Sequence, residues 1–140
     1  MAYLDTSVLV AYYCPEALSE TAEKMMLADG QPAVSALTEV ELVSALARKV
    51  RERELSRENA NYVLAEFQSH LNQLLFKRIP VERDHYSVAF NWLAQFAIPL
   101  TSLDALHLAV AGQNNLELVT ADKKLSHSAR KLGVRTRLLQ

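Results

Sequence analysis

The chain is poor in the residues that interrupt or staple a fold. Its 140 residues hold three glycines, four prolines and one cysteine. With so few breakers, the loops should be short and the regular elements should follow one another closely. The lone Cys14 excludes an internal disulfide, which makes a reducing compartment, the cytoplasm, the expected setting. Cys14 itself reads as a small buried side chain. No run approaches the roughly 18 apolar residues of a membrane span. Asp5 stands before any basic and then apolar leader could form, so no secretory signal is expected. An excess of one charge is also lacking: 16 acids face 15 Lys and Arg, for a net charge of −1. That excludes a partner recruited by overall charge and leaves only local patches for a nucleic acid.

What is present is apolar and periodic. Half of the residues are hydrophobic, enough for one core, and the length fits a single domain over residues 1–140. Ala2-Tyr3-Leu4 reads as a short strand, with Asp5 at its end and the start of a helix at Thr6 and Ser7. Pro15 breaks that helix. Helical spacing follows over 18–28, closed by Asp29-Gly30, and then over 37–53 and 56–74. A short apolar run at 32–35 and another at 75–81 read as strands, with Pro80 placing the second at a sheet edge. Residues 82–96 and 101–114 read as helices, 116–120 as a buried strand, 123–132 as a helix and 134–139 as a last strand. Strands alternating with helices predict an α/β fold with a mostly parallel central sheet flanked by helices.

The acids carry the chemistry. Asp5 ends one apolar strand and Asp122 follows another, the place where open α/β sheets bind ligands. Each has an ordinary alternative as a helix cap. Asp104 falls in the first turn of a helix that is apolar all round, where free N–H groups and the helix dipole favour an acid. His107, one turn later, reads as a satisfied core histidine rather than a ligand. On the helix over 37–53, Glu41 borders an apolar arc of Val40, Val43, Leu46, Ala47 and Val50, while Glu39 falls near its centre. That spacing mildly favours Glu41 for a site, although Thr38 to Glu41 also fits a capping box. Carboxylates gathered at such places repel one another, and Mg²⁺ or Mn²⁺ is their natural partner. Such an ion suits phosphodiester hydrolysis.

Four stretches together resemble a known family: Tyr3-Leu4-Asp5-Thr6-Ser7-Val8-Leu9, Ser35-Ala36-Leu37-Thr38-Glu39-Val40-Glu41-Leu42, Leu103-Asp104-Ala105-Leu106-His107-Leu108-Ala109 and Leu118-Val119-Thr120-Ala121-Asp122. In this order they resemble the PIN domain, and within it the VapC-type ribonuclease toxins of toxin–antitoxin pairs. The resemblance covers nearly the whole chain. It implies four acids around Mg²⁺ or Mn²⁺ at Asp5, Glu41, Asp104 and Asp122, with the family's hydroxyl near the fourth acid at Thr120; Ser7, beside Asp5, is a further supporting candidate. It also implies cleavage of RNA, a homodimer, and a cognate antitoxin whose tail enters the site.

Basic residues offer an RNA surface: Arg48, Lys49, Arg51 and Arg53 on one helix, and Lys123, Lys124, Arg130 and Lys131 near Asp122. Arg48, Lys123 and Lys124 are the candidates retained; the ordinary reading of each is a solvated helix face. A dimer surface is expected around Tyr62, Leu64, Phe67, Leu71, Leu74 and Phe76. Rival classes fit less well. A receiver-like signalling domain wants paired acids after the first strand and an Asp on a central strand. A haloacid-dehalogenase-type phosphatase wants a second acid two residues beyond Asp5. A non-catalytic PIN-like module that binds RNA or protein remains the alternative.

Overall fold

The structure, a computed structural model, describes residues 1–140. Five short strands form one sheet: β1 (Ala2–Leu4), β2 (Ala33–Ser35), β3 (Lys77–Ile79), β4 (Glu117–Thr120) and β5 (Thr136–Leu138). Their order is β3-β2-β1-β4-β5, and every neighbouring pair is parallel. Parallel neighbours need long crossovers, and the chain supplies them as seven helices: α1 (Thr6–Tyr13), α2 (Ser19–Asp29), α3 (Ala36–Arg51), α4 (Arg57–Asn72), α5 (Arg83–Ala94), α6 (Ser102–Gln113) and α7 (Lys123–Lys131).

Alternation along the strands divides the core in two. Ala2, Leu4, Val34 and Val119 point to one face and pack with Val8, Leu9, Leu42, Leu46, Phe67 and Phe76. Tyr3, Ala33 and Leu118 point to the other and pack with Leu108, Val110, Leu125 and Ala129. The central strands β1 and β2 are buried throughout, as a sheet covered on both faces requires. β3 lies at an edge, with Lys77 and Arg78 exposed and Pro80 just beyond it, as the position of Pro80 predicts. Cys14 is buried, and burial pushes its thiol up.

The scarcity of glycine shows at the helix ends. α3, α4, α5, α6 and α7 are each followed by a residue at positive φ, and only after α7 is that residue a glycine, Gly133. Arg53, Leu74, Phe96 and Asn115 take the other four places at φ between 52° and 61°. After α4, the Leu74 amide returns to the Leu71 carbonyl and the Leu75 amide to the His70 carbonyl, the paired bonds of a left-handed helix stop.

Two expectations about helix faces are corrected. In α3 the buried stripe is Thr38, Leu42 and Leu46, whereas Val40 and Val43 face solvent at 69% and 44% exposure. The helix is oriented by one leucine per turn and by the Thr38 cap, not by its valines. On and after α4, Phe67, Leu71 and Phe76 are core and Leu64 is half-buried, so of the expected dimer surface only Tyr62 and Leu74 are exposed.

Candidate active site

Starting from β1, the chain runs to β2 and β3 on one side and later to β4 and β5 on the other. The direction of winding therefore reverses between β1 and β4, and a crevice opens at their carboxyl ends. The pairing of Leu4 with Val119 sets the next residues, Asp5 and Thr120, beside each other there. Asp5 occupies the N-cap position of α1, but its side chain caps nothing. Its Oδ2 accepts from Ser7 Oγ at 2.7 Å and from Thr120 Oγ1 at 2.8 Å. Each hydroxyl is itself fixed by the backbone of the β4–α7 turn. Ala121 N donates to Ser7 Oγ, and Asp122 N donates to Thr120 Oγ1, both at 3.0 Å. The capping alternative for Asp5 therefore fails, and the carboxylate is held by side chains at the mouth of the crevice, 8% exposed.

Asp122 behaves differently. It is the N-cap of α7, and its Oδ1 accepts from the amides of Lys124 at 2.9 Å and Leu125 at 3.3 Å. Here the capping role is real. Oδ1 of Asp5 and Oδ2 of Asp122 take no hydrogen bond from the protein.

Asp104 enters from the first turn of α6, where Thr101 Oγ1 accepts its backbone amide. Burial raises its carboxyl above the usual range; the charges of Asp5 and then Asp122 push the same way, against the Thr101 bond and His107. Asp104 thus senses the charge of both other aspartates across the crevice. Glu41 comes from α3. Its Oε1 accepts from Thr6 Oγ1 at 3.0 Å and also meets Nε2 of His107, which is fully buried. Burial pushes Glu41 up, but the His107 bond, the His107 charge and the Thr6 bond together hold it below the usual range. The capping box of α3 is formed by Ser35 and Thr38, so Glu41 is not spent on a cap. Glu39 instead pairs with Arg78 at 3.0 Å, on the edge strand.

All four acids line one cleft of about 560 Å³, with Thr6, Ser7, Arg48 and Arg51 and also Glu16. Of the three basic residues singled out, Arg48 lies on this wall, and Lys124 borders an adjoining hollow with Asp104 and Asp122. Lys123 is exposed and lines neither. No three His, Cys, Asp or Glu side chains converge closely enough to enclose an ion unaided. Sequence reasoning missed Glu16, which sits in the turn after α1 with no periodic signal. It also missed the bonds that Thr6 and His107 make to Glu41, whose partners lie 35 and 66 positions apart.

The chain belongs to the PIN domain family: the family model matches residues 2–131. Solved structures with this fold include a toxin–antitoxin complex from Klebsiella pneumoniae. A chain of VapBC2 from Rickettsia felis, bound to a DNA fragment from the promoter, superposes with a TM-score of 0.74 at 17% identity, covering 100% of both chains. FitAcB from Neisseria gonorrhoeae gives 0.69 at 20% identity, over 97% of this chain and 96% of the other. VapC20 from Mycobacterium tuberculosis, a toxin that cleaves the sarcin–ricin loop, gives 0.69 at 17% identity, over 91% and 94%. At these identities the likeness is one of fold. No curated protein matches the chain. No helix is long and apolar enough to cross a membrane.

Proposed function

We propose that this protein, as a single domain over residues 1–140, is a metal-dependent endoribonuclease that hydrolyses RNA phosphodiester bonds, the toxin of a type II toxin–antitoxin pair acting in the cytoplasm. The observation that carries the reading is the cleft at the β1–β4 crevice, where four carboxylates arrive from four different elements. The donor set fits Mg²⁺ or Mn²⁺. It is all oxygen, the charges of Asp5 and Asp122 both raise Asp104, and Asp5 and Asp122 each keep one oxygen clear of protein hydrogen bonds. Asp5, Asp104 and Asp122, with Glu41, would hold the ion, and water would complete its shell, as Mg²⁺ prefers. Held there, such an ion would supply an activated water and charge screening at the phosphoryl oxygens.

The chain's own residues do the rest. Ser7 and Thr120 fix the Asp5 carboxylate by one oxygen. Arg48 and Arg51, one turn apart on the cleft wall, would take RNA phosphates. A cognate antitoxin would silence the site with a basic side chain set among the acids. That one solved structure of similar fold is a toxin–antitoxin complex supports that partner. A homodimer is supported by apolar side chains left exposed on α3 (Val40, Val43) and α5 (Tyr86, Phe90). The second reading is a non-catalytic PIN-like module that binds RNA or protein in the same cleft; it draws on the spacing of the acids, no three of which converge.

The deciding experiment incubates the purified chain with structured and unstructured RNAs, in Mn²⁺ or in EDTA, and maps the cut ends. Cleavage in Mn²⁺ that stops in EDTA is expected. RNA bound but left intact in Mn²⁺ would select the second reading.

A further inference from the structure

His107 is a fully buried polar group beside the cleft, and the proposed chemistry leaves it without a task. It lies in α6, where every residue from Ala105 to Ala111 is buried, and its own exposure is zero. Both ring nitrogens have partners. Nε2 meets Oε1 of Glu41, and Nδ1 lies 2.7 Å from the hydroxyl of Tyr3. A carboxylate can only accept, so Nε2 carries a proton. Nδ1 is fixed by the Tyr3 hydroxyl, whichever of the two atoms donates. The Tyr3 oxygen also lies 2.7 Å from Ser35 Oγ. The result is a continuous hydrogen-bonded chain that links Ser35, Tyr3, His107 and Glu41. It leaves α3 at its N-cap, crosses β1 and α6, and returns to α3 two turns later.

We propose that His107 is a positioning residue for Glu41, fixing the carboxylate that α3 contributes to the cleft; this rests on the reading of the cleft as a metal-dependent nuclease site. A glutamate on a helix surface turns about three side-chain bonds. Here Thr6 and His107 hold the same oxygen, Oε1, from two sides, and Oε2 takes no protein hydrogen bond. His107 in turn cannot rotate, because Tyr3 grips its other nitrogen and the packing of α6 encloses the ring. A leucine would fill the same space with no polar group to bury. The chain accepts a buried imidazole, and its donor reaches one acid of the cleft. Partners one step removed from a metal site typically set its affinity by tenfold to a hundredfold.

The test measures the Mn²⁺ dissociation constant by calorimetry, and kcat and KM for RNA cleavage, on wild type, Glu41→Gln, His107→Leu, His107→Gln and the Glu41→Gln/His107→Leu double variant. His107→Leu should weaken Mn²⁺ binding and lower kcat by about 10- to 100-fold with KM for RNA held. His107→Gln, which keeps an N–H donor, should recover part of the loss. In the Glu41→Gln background, His107→Leu should cost nothing more. If Glu41→Gln itself leaves the Mn²⁺ constant and cleavage at wild-type levels, the reading of the site falls. If Glu41→Gln is impaired while a folded His107→Leu is not, the positioning role alone is overturned. Should His107→Leu fail to fold, Tyr3→Phe removes the grip on Nδ1 at nearly constant volume. It should weaken Mn²⁺ binding several-fold, and an unchanged constant would overturn the proposal.

Discussion

The β1–α1 and β4–α7 junctions share one local pattern: a buried strand, an acid, then a helix. They lie side by side in the sheet, yet their acids are held in different ways. Asp122 takes two amides of its own helix on Oδ1 and stays in its own neighbourhood. Asp5 ignores its helix and takes two hydroxyls on Oδ2, one of them from Thr120, 115 positions away. A capping pattern in sequence thus states that an acid can cap, and the neighbouring strand decides whether it does. The two acids are also tied together, because the amide of Asp122 holds the hydroxyl that holds Asp5.

The largest effect should come from breaking the Asp5 side. Asp5→Asn keeps the shape and should lower metal-dependent RNA cleavage by more than about 100-fold, beyond the usual cost of losing a supporting partner. An unchanged far-ultraviolet circular dichroism spectrum would show that the fold is intact. Undiminished cleavage by pure Asp5→Asn would remove Asp5 from the site. Thr120→Val deletes the hydroxyl that bridges the two junctions and should cost about 10- to 100-fold in cleavage with little change in RNA affinity.

Asp104 reads both acids at once. Its carboxyl is raised, first by burial and then by Asp5 ahead of Asp122. A raised folded-state pKa favours the protonated folded protein, so its contribution is fully present below the unfolded value near 4 and is lost as pH rises through the folded value. In EDTA the melting temperature should therefore climb as pH falls through the raised Asp104 value toward the unfolded one near 4. Glu41, held low, works in the opposite sense, but its stabilisation is lost only as pH falls through the low end of the carboxylate range. Asp104→Asn should melt higher than wild type in EDTA, flatten the climb and lose most of the stabilisation that millimolar Mg²⁺ gives the wild type. A lower melting temperature in EDTA would make Asp104 a structural first-turn acid. In an NMR titration, Asp5→Asn should bring Asp104 down further than Asp122→Asn does.

The smallest effect separates the junctions by capping alone. Asp122→Ala should cost about 1 kcal/mol in chemical denaturation, and Asp122→Asn, itself a good cap, only a few tenths. Asp5 makes no capping bond, so no such difference between Ala and Asn should arise from α1. Equal losses for Asp122→Ala and Asp122→Asn would tie the cost to charge rather than to the cap.

Much of this was legible in the sequence because the elements are long relative to their loops and change period cleanly. Pro80 marked the edge strand, and the acids at the ends of apolar strands marked the crevice before any pairing was known. The faces of α3 and α4 were less legible. Apolar periodicity predicts that valines turn inward, but the sheet offers α3 room for one stripe, Thr38-Leu42-Leu46. Val40 and Val43 fall on the opposite side. Phe67, Leu71 and Phe76 looked like surplus apolar surface and turned out to be the core beneath α4. The link from Tyr3 through His107 to Glu41 had no local signal. It spans 104 and then 66 positions and exists only once β1, α3 and α6 meet.

The left-handed helix ends have a further consequence, for how far this chain can drift. Leu74 and Phe96 hold a conformation that costs an L-residue about 1–2 kcal/mol, and both side chains are exposed, at 71% and 94%. Glycine at either place would relieve that strain and give back about 0.5–1 kcal/mol of it to chain entropy. Neither residue lines the cleft. The protein therefore carries unused stability at its surface, within one substitution, that could offset destabilising changes among the acids and so widen the range of sites this scaffold can sample.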